Sequence, residues 1–177
     1  MKKDDFYNIS VFGRVAYAIM CFERYVTSKY PNTDFRAAAE IMWSIVDGSN
    51  YLDESSYRYI EIVPECLFES DSYNNSDFEY LTQSEYDNFS DMLNRNDKSL
   101  NTLMQSIYDI AMSYAYTVVE QGAPITIPIL NRIDAILSKD GIDLPDKSIL
   151  SKYTPTDSDG LGDCFDGRYL SIILTQN

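Results

Sequence analysis

The chain contains no histidine, and that absence alone removes a large share of catalytic chemistry. Without imidazole there is no Ser-His-Asp triad, no Cys-His nucleophile and no histidine-ligated zinc. Cysteine is scarce too: Cys21, Cys66 and Cys164 are odd in number and far apart. They offer neither a disulfide framework nor a C-x-x-C metal spacing, and they suit a reducing compartment. All three stand beside apolar or acidic residues, which raise a thiol pKa, so buried structural cysteines are expected. No run approaches the roughly 18 apolar residues that span a bilayer. The opening MKKDDFYNIS follows two lysines with two aspartates and has no uninterrupted apolar segment, unlike a signal peptide. A cytoplasmic protein is the expectation.

Basic residues are also in deficit: 14 Lys and Arg face 28 Asp and Glu, for a net charge of -14. Direct binding to nucleic acid needs cations that displace counterions from phosphate, and this balance would repel the backbone instead. An anionic membrane surface is disfavoured for the same reason. A basic protein would be steered inward.

The motifs of small-molecule chemistry are missing in turn. Gly160-Leu161-Gly162 lacks the third glycine of a dinucleotide loop, and no Gly-Lys-Ser/Thr occurs. Set on an EF-hand loop, Asp157, Asp159 and Gly162 fit positions one, three and six. However, Leu161 takes the fifth, where an oxygen ligand belongs, and Arg168 the twelfth, where a bidentate Glu is required. Paired carboxylates could still hydrolyse a glycoside, but no spacing among the acids stands out. The expectation is a protein that is not an enzyme and needs no cofactor, metal or small-molecule substrate.

What the chain does have is the composition of one folded domain: 177 residues, 45% hydrophobic and 24% charged. Helical spacing dominates. Val11, Phe12, Val15, Ala16, Ile19, Phe22, Tyr25 and Val26 form one stripe, stopped by Pro31. A second helix over 34–47 carries Phe35, Ala38, Ile41, Met42 and Ile45, with Gly48 placed as its C′ residue. A third over 53–63 turns Tyr57, Ile60 and Ile62 inward and ends or bends at Pro64. Thr82-Gln83-Ser84-Glu85 is a capping box opening a helix to about 94.

The clearest stripe runs from 99 to about 120, through Leu100, Leu103, Met104, Ile107, Ala111, Tyr114 and Val118, and predicts the central helix of the bundle. Pro128 suits the first turn of a helix ending near Lys139, and a short helical piece over 146–152 follows the Asp140-Gly141 turn. The apolar stretch 168–174 is either an unpaired strand or an extended tail on the bundle. The expected fold is all-α: a single-domain helical bundle of about six to seven helices with an extended C-terminal tail.

Charge is unevenly placed along this frame. Between Asp53 and Asp91 there are eleven acids, and Arg58 is the only base. Tyr57, Tyr59, Tyr73, Tyr80 and Tyr86 lie in the same stretch. Carboxylates complement a basic surface, and tyrosine supplies rigid amphipathic contact area at low entropic cost. Glu61, Glu65, Glu69, Asp71, Tyr73, Asp77, Glu79 and Tyr80 are therefore the candidate partner-binding residues.

An acidic, histidine-free, all-α domain with such a patch resembles the immunity proteins of bacterial polymorphic toxin systems, including the partners of contact-dependent growth-inhibition toxins. The ending Gly162-Asp163-Cys164-Phe165-Asp166-Gly167-Arg168-Tyr169-Leu170-Ser171 is similar to the C-terminal FDG-x-x-L signature of one helical immunity family. The resemblance implies an antitoxin that binds one cognate toxin domain, often a basic nuclease, and blocks it. It implies no catalytic residues, and gives Phe165 and Leu170 a structural role in packing the tail onto the bundle, with Gly167 making a turn. The alternative is an acidic nucleic-acid mimic or regulatory adaptor that binds several basic proteins.

Overall fold

The computed structural model describes residues 5–47, 52–93, 96–114, 119, 122–155 and 160–175. Among them the chain is all helical, with seven α-helices joined by short 3-10 turns and no strand. They are α1 (Val11–Lys29), α2 (Arg36–Asp47), α3 (Leu52–Ile62), α4 (Pro64–Leu67), α5 (Gln83–Met92), α6 (Lys98–Met112) and α7 (Ile127–Lys139).

The centre of the bundle is the pair α1 and α6: the helix that follows residue 98 packs on α1, α3, α4 and α7, as its stripe suggested, and α1 is the more completely buried of the two. Helix α1 is buried on nearly every side, with every residue from Val11 to Glu23 buried. Helices α2, α6 and α7 pack around it. Helix α6 instead keeps Asn101, Gln105 and Tyr108 only partly covered, so it has an outer face. It also stops at Met112, well short of 120: the Ser113 N–H and hydroxyl both turn back to the Ile110 carbonyl, at 3.3 and 2.7 Å. Residues 115–118, 120 and 121 lie outside the described residues, as does Gly48, the expected C′ residue of α2.

Capping follows side-chain chemistry. Thr82 and Glu85 form both halves of the capping box at the start of α5. Asp97 caps α6, accepting from the Ser99 and Leu100 N–H groups at 2.9 and 3.0 Å and from the hydroxyls of Tyr25 and Tyr30. The guanidinium of Arg14 is buried within α1 and donates to the carbonyls of Phe6, Ile9, Gly122 and Ala123 and to the Thr126 hydroxyl. It thereby ties the N-terminal turn to the 122–126 turn. A buried arginine needs its donors satisfied, and these acceptors do so.

One expectation about α3 is corrected, while Ile62 is buried and Ile60 packs on the core as expected. Tyr57 faces outward, 43% exposed, and Tyr59 takes the inward place, donating to the Met104 carbonyl at 2.7 Å. The buried stripe is Ser55, Ser56, Tyr59 and Ile62, which is the three-and-four spacing shifted by one residue. Val63, before Pro64, is extended at ψ 131, and α4 then starts with proline in its first turn.

The C-terminal stretch is the packed tail and not a strand. Arg168–Leu170 is a 3-10 turn, and the segment lies over α1 and α2. Phe165 donates its N–H to the Val46 carbonyl at 2.8 Å and stacks on Tyr153 at 3.7 Å between ring centres. The buried carboxylate of Glu23 accepts from the Trp43 indole at 2.8 Å, the Ser171 hydroxyl at 2.5 Å and the Ile172 N–H at 2.7 Å. Burial raises the Glu23 carboxyl pKa, and these donors oppose the shift. Gly167 has an ordinary φ of -87, so it is not there for a left-handed turn. A Cβ at that position would lie 2.4 Å from the Trp43 ring, and glycine is what lets the tail approach the indole.

Candidate protein-interaction face

The acid-rich segment builds one side of the bundle from α3, α4 and the loop 68–82. On α3 the exposed positions are Glu54, Tyr57 and Arg58, with Glu61 half-buried below them. These follow helical spacing, so they share the face opposite Tyr59 and Ile62. The one base is already engaged: Arg58 Nη2 sits 2.8 Å from the Glu85 carboxylate. Beyond α3, Glu65, Glu69, Asp71, Asp77 and Glu79 are all exposed.

Two of the eight candidate residues hold the fold together. Glu61 accepts from the main-chain N–H groups of Glu79 at 2.7 Å, Tyr80 at 3.0 Å and Leu81 at 2.8 Å, and so clamps the returning loop to α3. Tyr73 is half-buried, with its hydroxyl donating to the Leu81 carbonyl at 2.8 Å and its ring against Phe78 and Tyr86. Neither is a free contact residue, and replacing Glu61 perturbs the loop as well as the charge.

The clamp brings Tyr80 beside α3. Its phenol titrates above the ordinary range through partial desolvation, then through the negative field of Glu79, Glu54 and Glu61, with Tyr57 adding to it. Tyr108 on α6 is raised by desolvation and by its neighbours Tyr57, Cys66 and Asp109. Tyr57 therefore stands in the surroundings of both Tyr80 and Tyr108, and three tyrosines share the acidic face. Burial pushes up the Cys66 thiol, and Glu69, Glu65 and Glu61 push it further.

Beside this face, Val63, Pro64, Glu65, Phe68, Asn101 and Gln105 line a groove of about 410 Å³ between α4 and α6. Asp71 points elsewhere, into a hollow of about 640 Å³ shared with Tyr30, Tyr86 and Asp91. Phe68 separates the two hollows, lining both. The segment 53–91 is thus divided between adjoining surfaces and not gathered into one patch. Tyr108, Asn101 and Gln105 contribute from α6, outside the acid-rich segment. Their spacing of four and three on the outer side of α6 is the signal that could have revealed them.

The cysteines are not uniformly buried. Cys21 is buried, Cys66 is half-buried and Cys164 is exposed. All three thiols are raised above the ordinary range, chiefly by burial and then by neighbouring carboxylates, so none is an activated nucleophile. Among the described residues no helix is long and apolar enough to cross a membrane, and no group of three or more Cys, Asp or Glu is placed to hold a metal ion. No family model, curated protein or solved structure matches the chain.

Proposed function

We propose that this protein is an immunity-type inhibitor that neutralises a basic toxin domain by binding it through the face of α3, α4 and α6. One observation carries the reading. Glu54, Glu65, Glu69 and Glu79 are exposed, Glu54 and Glu79 stand close enough to act on Tyr80, Tyr57 acts on both Tyr80 and Tyr108, and the only base of the segment is held by Glu85. Such a face offers rigid aromatic area ringed by carboxylates, the chemistry that selects a cationic protein and raises its rate of encounter. The sequence ending that resembles the FDG-x-x-L immunity signature supports the same reading, as does the net charge of -14. The toxin is most simply a nuclease-like domain whose own substrate is anionic.

The test is growth of cells expressing the toxin domain encoded beside this protein. Coexpression of the natural chain restores growth. The variant Glu65→Lys/Glu69→Lys/Glu79→Lys, which leaves Glu61 in place, fails to restore it while keeping its urea unfolding midpoint. Full protection by that variant would remove the face from the interface.

A further inference from the structure

A second depression adjoins this face along α3, between α2 and α5. It has a volume of about 370 Å³ and is lined by Glu40, Glu54, Ser55, Arg58, Asn88 and Arg168. That volume falls in the range of roughly 300–1,000 Å³ common for small-ligand sites. Its charges are arranged unequally. Arg58 is paired with Glu85 at 2.8 Å, and Arg168 with Asp47 at 3.2 Å. Both cations are therefore neutralised from within the fold.

Glu40 on α2 and Glu54 on α3 are exposed, and neither makes a salt bridge among the described residues. Arg36 contributes its field to Glu40, but its guanidinium is held by Asp34 at 2.5 Å. The cleft thus keeps two carboxylates in excess. Ser55, only 4% exposed, adds a hydroxyl with no hydrogen-bond partner. Buried polar groups are almost always paired, so this hydroxyl keeps a hydrogen bond to offer at the cleft wall.

We infer that this cleft receives an arginine side chain of the basic partner; the inference rests on the proposed function and extends it to a specific anchor. A guanidinium carries five donors in one plane and can bridge carboxylates on facing walls while still meeting a hydroxyl or amide oxygen. An ammonium offers a point charge and fewer directed donors. Ile41 and Phe89, both buried, supply apolar wall for the aliphatic stem. Glu54 also acts on Tyr80, so the cleft adjoins the tyrosine-bearing face and one partner can reach both.

The experiment uses the whole protein, isotopically labelled, and N-acetyl-arginine-methylamide as the probe in an NMR titration. Saturable shifts are expected at Ser44, Ser55 and the Asn88 side chain, with capped lysine weaker and capped norleucine without effect. Glu40→Gln/Glu54→Gln weakens the probe about tenfold, the loss of two charge-assisted bonds at an exposed site. Both residues are exposed, so the urea midpoint holds. Absent shifts, equal binding of norleucine, or unchanged affinity in the double variant would overturn the inference. With a toxin partner in hand, unchanged partner affinity in Glu40→Gln, a residue of the cleft outside the proposed face, defeats the anchor and leaves the proposed function standing. Specific probe binding without any captured partner does the reverse.

Discussion

Replacing Glu61 by glutamine separates the structural role of this carboxylate from its charge. Three main-chain donors converge on it, from Glu79, Tyr80 and Leu81. The amide cannot accept from all three, because one of its two polar atoms is a donor. Glu79 is exposed and Tyr80 half-buried, so water replaces the lost acceptor there at little cost. Leu81 is 2% exposed, and leaving its N–H unsatisfied costs about 1–3 kcal/mol.

The expected loss is therefore about 2 kcal/mol, or roughly 4–8 °C in Tm for a domain of this size. Hydrogen exchange read residue by residue is the decisive assay. The amides of Glu79, Tyr80 and Leu81 should exchange at least about tenfold faster, as expected for local opening, while those of α1 change only with global stability. Unchanged protection of the three amides would show that Glu61 does not hold the loop.

Other expectations follow from the same contacts. Gly167→Ala places a methyl group 2.4 Å from the Trp43 ring, so it destabilises by about 1–3 kcal/mol and shifts the emission of the only tryptophan to longer wavelength as the tail lifts. An unaltered spectrum and midpoint would mean the tail is not seated on the indole. For Asp97, burial acts to raise the carboxyl pKa, but the bonds from Tyr30, Leu100, Tyr25 and Ser99 prevail and hold it below its ordinary value. A lowered folded pKa adds stability above the unfolded value of about 3.9, and that stability is lost as pH falls through the folded value. Asp97→Asn should thus be less stable by about 1 kcal/mol at pH 7, with the gap to the natural chain closing below about pH 4. Urea midpoints across pH check this, and a gap that widens in acid would refute it.

Much of this architecture was legible because it is local. The Thr82–Glu85 capping box, the proline-started helix before Lys139 and the stripe from Val11 to Val26 depend only on neighbours in sequence, and the fold respects each. The errors lie where tertiary contacts decide. Tyr57 and Tyr59 are equally suitable for the buried side of α3, and the Met104 carbonyl on a distant helix selects Tyr59. Helix α6 packs centrally as its long apolar stripe predicted, but the near-complete burial of α1, polar Arg14 and Glu23 included, was not legible from its spacing.

Buried polar residues were the least legible. Arg14 and Glu23 sit within an otherwise apolar stripe, and part of their pairing comes from segments more than 100 residues away, the 122–126 turn for Arg14 and Ser171 and Ile172 for Glu23. The face itself was half legible. Charge counting found its carboxylates, but the contributions of α6 and the structural duties of Glu61 and Tyr73 needed the fold.

The central claim is that the protein holds one basic partner through a specific interface. The direct measurement is capture by the purified natural chain from a lysate of its own cells, washed at high salt, followed by sizing of what remains bound. A single basic protein domain in a one-to-one complex that survives the wash is the expected result. Several unrelated basic proteins leaving together as salt rises, as a nucleic-acid mimic would release them, would contradict it.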